Sequence, residues 1–141
     1  MRNLKLTVSS LEETDLFAKR FAATLKKGDI VAFFGDLGSG KTTFLKSLIA
    51  TLNNISPDDI HSPTFTYLHI YPGDVPVYHF DLYRLNNASD FTALGFHEFF
   101  TASGICCIEW SEKIASILPP STIKVLLTHA GETSRTIEVV T

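Results

Sequence analysis

The spacing of apolar residues predicts a strand followed by a helix at the start of the chain. Residues 4–8 alternate between apolar and polar side chains, which is typical of a half-buried strand. Ser10 is followed three residues later by Glu13, as in a capping box, so we expect a helix to begin there and to end at Gly28. The apolar side chains expected on the inner face of this helix are Leu16, Phe17, Phe21 and Leu25.

A second strand and a second helix are predicted on either side of a glycine-rich turn. Residues 30–34 are apolar without alternation, which indicates a parallel strand covered on both faces. Residues 41 to about 52 show helical spacing. The side chains expected to face inward from this helix are Phe44, Leu45, Leu48 and Leu52.

The rest of the chain predicts short strands and short helices. Residues 53–63 are polar and contain two prolines, so we expect a loop there. The segments of strand-like composition are 64–71, 77–82, 105–108, 123–128 and 136–140, and the weakly helical segments are 88–100 and 111–118. Turn residues at 71–74 and at Gly131 predict two antiparallel pairs. This order of elements predicts an α/β domain with a mixed sheet that is parallel at its centre and flanked by helices.

Composition narrows the classes of function. The 141 residues suit a single domain, residues 1–141, and 45% of them are hydrophobic, which is enough to fill a core. Lys and Arg number 12 against 15 Asp and Glu, a net charge of −3, whereas a protein that grips DNA or RNA alone needs clustered cations. No apolar run approaches the ~20 residues that span a bilayer, and the first residues lack the apolar stretch of a signal peptide. We therefore expect a cytoplasmic domain with no membrane or DNA partner.

The segment from Gly35 to Thr42 carries the clearest chemistry. It matches the pattern GxxxxGK[ST] between a predicted strand and a predicted helix. Glycines let backbone N–H groups turn inward around an anion, and the helix that follows directs its N-terminus at phosphates. Lys41 is expected on the β- and γ-phosphates and Thr42 on Mg²⁺. The predicted nucleotide-binding residues are Gly35, Asp36, Leu37, Gly38, Ser39, Gly40, Lys41, Thr42 and Thr43. The chain is thus predicted to have a P-loop NTPase fold.

A P-loop enzyme needs a further carboxylate to hold Mg²⁺, and two residues are candidates. Asp81 and Glu109 each end an apolar run, where an open α/β sheet places its ligand. Asp81 is the candidate metal ligand, although His79 within its run is unusual. Glu109 could orient the attacking water or hold the outer shell of the metal. Both could instead be strand-end carboxylates in ion pairs.

Three further residues have open interpretations. Thr64 lies in Ser62–Thr66 and could sense the γ-phosphate as a switch threonine, or it could belong to a strand that starts at proline. Trp110, the only tryptophan, could pack on a base or a partner, or be semi-buried structure. Arg84 could neutralise phosphate charge, or pair with Asp81 or Glu98.

Taken together, these motifs resemble the TsaE (YjeE) family of small bacterial P-loop ATPases. The resemblance rests on GDLGSGKT, SPTF, HFDLYRL, LGF followed by Glu, and IEW, in this order. It implies ATP or ADP with Mg²⁺, and a partner complex, TsaB–TsaD, that transfers threonylcarbamoyl to adenosine 37 of tRNA. The ATPase would reset that complex, so tRNA would be contacted only indirectly.

The resemblance also implies roles for individual residues. Thr42 and Asp81 look like Mg²⁺ ligands, and Glu109 resembles the residue required for hydrolysis. Lys41 and the glycine-rich loop would hold phosphates, and Thr64 looks like the switch threonine. Trp110 belongs to the family signature at the site. Leu11 and Thr14 would lie near the adenine.

Two other functions stay open on the sequence. A small-molecule kinase would use the same P-loop, but such enzymes usually carry a lid with arginines, and Arg84 is the only arginine between Arg20 and Arg135. A nucleotide-gated binding module with incidental hydrolysis would share every phosphate-binding residue with an ATPase. If the chain is the ATPase that the resemblance implies, we expect it to be slow in isolation, because it offers no obvious arginine finger of its own beyond Arg84.

Overall fold

One seven-stranded mixed sheet organises the molecule. The computed structural model describes residues 3–35 and 41–141. The strands, in chain order, are β1 (Leu4–Val8), β2 (Ile30–Gly35), β3 (Leu68–Tyr71), β4 (Val77–Asp81), β5 (Ile105–Glu109), β6 (Ile123–His129) and β7 (Arg135–Val140). Their order across the sheet is β1-β7-β6-β2-β5-β4-β3. The predicted α/β fold class is confirmed.

The centre of the sheet is parallel, as the unbroken apolar run of β2 predicts. β2 pairs in parallel with β5 on one side and with β6 on the other, and β4 pairs in parallel with β5. Both predicted antiparallel pairs form, β3 with β4 and β6 with β7, and β1 closes the sheet beside β7. The carboxyl ends of β1, β2, β4, β5 and β6 therefore meet at one edge of the sheet, where α/β folds place their ligands.

Within residues 3–35 and 41–141, three α-helices and three short 3₁₀ helices cover the two faces of the sheet. The α-helices are α1 (Leu11–Ala22), α2 (Lys41–Asn53) and α3 (Ala88–Ala93), and the 3₁₀ helices span Pro57–Asp59, Phe96–Thr101 and Ser111–Ile117. The weakly helical segment predicted at 88–100 forms two separate helices, because Gly95 lies between α3 and the second 3₁₀ helix with a φ of +79°.

Each face of the sheet has its own apolar core. The face under α1 and α2 is packed with aromatic rings, and Phe44 of α2 contacts Phe17, Phe21 and Phe33 at centroid distances of 5.6–6.0 Å. The other face is covered by α3 and the later 3₁₀ helices, around Phe80 and Phe91. Alternation along β4 and β5 sends successive side chains to opposite cores.

The start of α1 matches its prediction, but its end does not. The Ser10 hydroxyl accepts a hydrogen bond from the Glu13 N–H at 3.1 Å, as a helix cap should. The helix ends at Ala22 rather than at Gly28. The Thr24 hydroxyl donates to the Phe21 carbonyl at 2.7 Å and the Thr24 N–H bonds the same carbonyl, so the last turn tightens and stops.

The inner face of α1 also differs from its predicted stripe. Phe17 and Phe21 are buried as expected, but Leu16 is half exposed. The buried stripe runs through Thr14, Phe17, Ala18, Phe21 and Ala22. Alanine and threonine are small enough for close contact with α2, so the true stripe is less apolar than the one that hydrophobicity alone predicts.

The strand predicted at 64–71 is shorter than expected. Residues 64–67 form a turn, in which the Tyr67 N–H donates to the Pro63 carbonyl at 2.7 Å. Tyr67 has a φ of +66°, a left-handed conformation that ends the turn before β3 begins at Leu68. The threonines of this stretch thus lie in a turn beside the sheet edge. The interpretation of Thr64 as part of a strand is wrong.

Candidate nucleotide-binding site

The predicted phosphate loop joins β2 to α2 at the carboxyl edge of the sheet. Asp36, Leu37, Gly38, Ser39 and Gly40 lie outside the described residues, so the structure reports only the two ends of the loop. Gly35 has a φ of +141°, and a Cβ atom there would collide with the carbonyl oxygen of Leu127. Glycine is therefore required at this position for β2 to reach the loop while paired with β6.

Lys41 is buried at the start of α2. Its Nζ atom is only 4.8 Å from the centroid of the Trp110 ring and has no hydrogen-bond partner among the described residues. A buried ammonium group without an acceptor is costly, whereas an aromatic face alone stabilises it only modestly. The position therefore suits an anionic ligand. Thr42 and Thr43 follow in the same turn, exposed and half-buried respectively.

Asp81 and Glu109 are directly paired at the ends of β4 and β5. Both carboxylates are almost completely buried. Asp81 is held by two groups, because its Oδ2 accepts a hydrogen bond from the Thr64 hydroxyl at 3.1 Å and its Oδ1 accepts one from the Tyr83 N–H at 3.0 Å. The structure thus brings together the two carboxylates that the sequence predicts at this edge. Thr64, the predicted switch threonine, is hydrogen-bonded to one of them, Asp81.

Glu109 is held differently. Its Oε2 atom contacts Nε2 of His79 at 2.8 Å and accepts a hydrogen bond from the Ser62 hydroxyl at 3.2 Å. Ser62 and Thr64 belong to the same loop, so this loop contacts both carboxylates. A displacement of the loop would change the surroundings of Asp81 and Glu109 together.

These groups line one cavity of about 380 Å³, a size suited to a small ligand. Its lining residues are Lys41, Thr42, Ser62, Thr64, Asp81, Tyr83, Glu109 and Trp110. The hydroxyl of Thr42 and the carboxylates of Asp81 and Glu109 are hard oxygen donors, the kind that Mg²⁺ prefers. Residues 3–35 and 41–141 contain no cluster of three or more His, Cys, Asp or Glu side chains placed to hold a metal. Mg²⁺ needs no such cluster, because substrate phosphates and water complete its shell, so these residues fit it.

The structure shows the contacts of Arg84 and Trp110, for which the sequence allowed more than one interpretation. Arg84 forms neither predicted ion pair in the described structure; its guanidinium lies 4.8 Å from the centroid of the exposed Phe65 ring. Trp110 packs on Tyr83 at 5.0 Å and on the Lys41 ammonium. It thus forms a wall of the cavity, with a φ of +60° that turns the chain after β5.

Leu11 and Thr14 line a second cavity at the same sheet edge, on the far side of β2. Its other lining residues are Val8, Ser9, Ser10, Thr133 and Arg135. Leu11 is well exposed, whereas Thr14 is buried and donates its hydroxyl to the Ser10 carbonyl at 3.2 Å. Thr133, in the loop before β7, and Arg135, the first residue of β7, also reach this cavity and are not predicted from the sequence. No sequence pattern links them to Leu11, because the β1–β7 pairing brings them together.

The contact of His79 with Glu109 is also not predicted from the sequence. In the sequence, His79 is notable only as unusual within an apolar run. The period of two along a strand places residues 79 and 81 on one face, so this signal could have directed attention to a contact beside Asp81. What the pattern could not give is the partner on β5, since that depends on the register between the strands.

None of the helices described by the structure is long and apolar enough to cross a membrane.

Comparison with protein families finds a match over residues 8–137 to the model described as "Threonylcarbamoyl adenosine biosynthesis protein TsaE". Curated relatives carry the name "tRNA threonylcarbamoyladenosine biosynthesis protein TsaE". The protein of Bacillus subtilis is 38% identical over 138 residues, which cover 97% of this chain and 85% of the relative. That of Rickettsia typhi is 42% identical over 122 residues, which cover 86% of this chain and 83% of the relative.

A solved structure supports the same assignment. The crystal structure of YdiB from Bacillus subtilis aligns with a TM-score of 0.79 and 35% sequence identity, covering 99% of this chain and 86% of the other. Fold and sequence therefore agree along nearly the whole chain. This chain belongs to the TsaE family.

Proposed function

We propose that the chain is a Mg²⁺-dependent ATPase of tRNA threonylcarbamoyladenosine synthesis, which binds the TsaB–TsaD complex and resets it between turnovers. Membership of the family, whose relatives carry that pathway in their names, supports the process. The observation that carries the activity is the cavity in which Lys41, Thr42, Asp81 and Glu109 converge. A buried cation, a hydroxyl and two carboxylates are the set that nucleotide hydrolysis requires.

Each of these residues has a distinct proposed role. Thr42 and Asp81 would hold Mg²⁺, which supplies positive charge against the phosphates. Lys41 would bind the β- and γ-phosphates, and the absence of a hydrogen-bond acceptor for its Nζ among the described residues supports this assignment. Glu109 would orient the water that attacks the γ-phosphate, and it also lies close enough to the metal-binding residues to serve an outer shell. Catalysis would be mainly electrostatic.

The second cavity is the proposed position of the adenine. Leu11 supplies an exposed apolar side chain, and Thr14 and Arg135 bring polar atoms to the same cavity. The two cavities lie on either side of the carboxyl end of β2, where the phosphate loop begins. ADP or ATP could therefore extend from one to the other along the loop.

The TsaB–TsaD complex is proposed to supply the positive charge and the contact with tRNA that this chain lacks. With a net charge of −3 and few arginines, the chain is a poor ligand for tRNA by itself, so contact with tRNA would be indirect. Arg84 is engaged with Phe65. We therefore expect the isolated chain to hydrolyse ATP slowly and TsaB–TsaD to stimulate it. The proposed location of this activity is the cytoplasm.

Substitution of Glu109 tests the catalytic assignment. In Glu109→Ala we expect MgATP hydrolysis to fall about 100-fold or more, because a group that orients or deprotonates water contributes on that scale. Nucleotide binding, measured by titration calorimetry, and docking on TsaB–TsaD should persist. Glu98→Ala, at an exposed glutamate, is the matched control and should hydrolyse MgATP as the wild type does. Unchanged turnover in Glu109→Ala would remove the catalytic assignment.

A nucleotide-gated binding module is the second candidate function. The observation in its favour is the loop that contacts both carboxylates through Ser62 and Thr64, since γ-phosphate and Mg²⁺ would compete for the same groups. In this case hydrolysis would be incidental. Stimulation of turnover by TsaB–TsaD supports the resetting ATPase, whereas ADP bound tightly without stimulation supports the gated module.

A further inference from the structure

His79 is a buried histidine on strand β4, which lies between β5 and the edge strand β3. It lies on the same face of the strand as Asp81, two residues away, and this face is the one covered by α2. Its side chain is only 1% exposed. Burying an imidazole without a hydrogen-bond partner costs free energy, so we expect His79 to have such a partner.

The contact of His79 is with the carboxylate of Glu109. The His79 Nε2 and Glu109 Oε2 atoms are 2.8 Å apart, and the Glu109 side chain is only 5% exposed. Because an ionised carboxylate only accepts hydrogen bonds, Nε2 is the donor in this pair. The ring of Tyr71 stacks on His79 with a centroid distance of 6.4 Å and an interplanar angle of 26°, which fixes the plane of the imidazole.

Both described contacts of the Glu109 carboxylate are made through the same oxygen. His79 and the Ser62 hydroxyl both engage Oε2. That leaves Oε1 as the oxygen available to a ligand of the cavity, which Glu109 lines. The two anchors also differ in kind, since His79 is part of the sheet whereas Ser62 lies on a loop.

We propose that His79 is a positioning residue, which fixes the Glu109 carboxylate so that Oε1 faces the attacking water. The inference rests on the proposed function of Glu109. A glutamate side chain has several rotatable bonds, and a productive geometry has to be held within about 0.5 Å by its neighbours. Because His79 is part of the sheet, its Nε2–H can hold the Glu109 carboxylate whether or not the loop that carries Ser62 moves.

Three variants of His79 separate a hydrogen-bond role from a packing role. His79→Phe keeps a ring and removes the donor, His79→Gln places an amide nitrogen near the Nε2 position, and His79→Asn places it near Nδ1. We expect His79→Phe and His79→Asn to lower kcat for MgATP about tenfold or more while KM changes less than about twofold. His79→Gln should recover most of kcat. His97→Phe, the same exchange at an exposed histidine, should match the wild type.

The comparison of His79→Gln with His79→Asn keeps the proposal testable if the phenylalanine variant does not fold. Equal turnover in these two folded variants would contradict it, as would wild-type turnover in His79→Phe. A parallel decrease of kcat and nucleotide affinity, with no recovery in His79→Gln, would also contradict it.

Wild type and Glu109→Gln in the same assay distinguish this inference from the proposed function. A wild type without turnover would overturn both, whereas a fully active Glu109→Gln would overturn the proposed role of Glu109 and, with it, the positioning role of His79. An active wild type with an inactive Glu109→Gln and an active His79→Phe would overturn only the positioning role. The pattern expected is an active wild type, an inactive Glu109→Gln, and a kcat defect in His79→Phe that does not add to that of Glu109→Gln in the double variant.

Discussion

The two cavities at the carboxyl edge of the sheet differ in the chemistry of their walls. The first, between α2, β4 and β5, is lined by a buried ammonium group, two buried carboxylates and two aromatic rings. The second, between β1, α1 and the start of β7, is lined by four serine and threonine residues, the apolar residues Val8 and Leu11, and a single charged residue, Arg135. One edge of one sheet thus presents a charged cavity and a nearly neutral one.

Only the first of these two cavities combines buried charges of both signs. Buried charges act strongly because little water screens them, so the first cavity can stabilise charge that develops on a phosphate. The hydroxyls, two apolar side chains and one arginine of the second cavity lie away from the carboxylates of the first, so we expect their contacts to be shared by the ground state and the transition state. Substitutions in the first cavity should therefore change kcat, and those in the second should change KM.

The largest effect is expected at Lys41. Replacing it by alanine removes the buried cation of the first cavity, and we expect MgATP turnover to fall about 100-fold or more. Lys46→Ala, five residues later on the same helix, is the matched control and should keep wild-type turnover. The measurement is steady-state phosphate release by the purified variants. A Lys41→Ala rate close to that of the wild type would break the distinction between the cavities.

The next effect is expected at Asp81. Asp81→Asn keeps an oxygen that can accept the hydrogen bond from Thr64 or Tyr83 but removes the charge that would hold Mg²⁺. We expect the Mg²⁺ concentration at half-maximal turnover to rise about 10-fold or more. Asp74→Asn, at an exposed turn residue, provides the control. If the Mg²⁺ titrations of Asp81→Asn and wild type coincide, Asp81 is not a metal ligand.

The smallest effect is expected at Leu11, in the second cavity. Leu11→Ala removes apolar surface that adenine would cover, at a cost of roughly 1 kcal/mol, so KM for ATP should rise about fivefold. The change should be confined to KM and leave kcat at saturating ATP similar. Leu16→Ala, at a half-exposed leucine on the same helix, is the control. A decrease in kcat alone would show that this cavity does not have a pure binding role.

Most residues of the first cavity can be predicted from the sequence, because each lies in or directly after a recognisable motif or strand. Lys41 follows a glycine-rich loop, and Asp81 and Glu109 end apolar strands whose carboxyl ends share an edge. The parallel centre of the sheet follows from the unbroken apolar run of β2. The glycine-rich loop itself, Asp36–Gly40, lies outside the described residues, so its role stays a prediction.

Two of the features that the sequence could not predict depend on contacts between distant segments, and two depend on local hydrogen bonds and backbone conformation. The pairing of His79 with Glu109 requires the register of β4 against β5, and the far wall of the second cavity requires β1 to pair with β7. The early end of α1 depends on a hydroxyl of Thr24 that bonds back to the helix. The turn at Thr64 overrides the β-branched composition of its segment, since Tyr67 adopts a left-handed conformation.

The most direct test of the account is MgATP turnover by the purified chain, alone and with TsaB–TsaD. We expect slow turnover by the chain alone and a clear increase with the complex, dependent on Mg²⁺ in both cases and lost in Lys41→Ala. Absence of turnover by the wild type, both alone and with TsaB–TsaD, would contradict the claim that the charged cavity hydrolyses ATP.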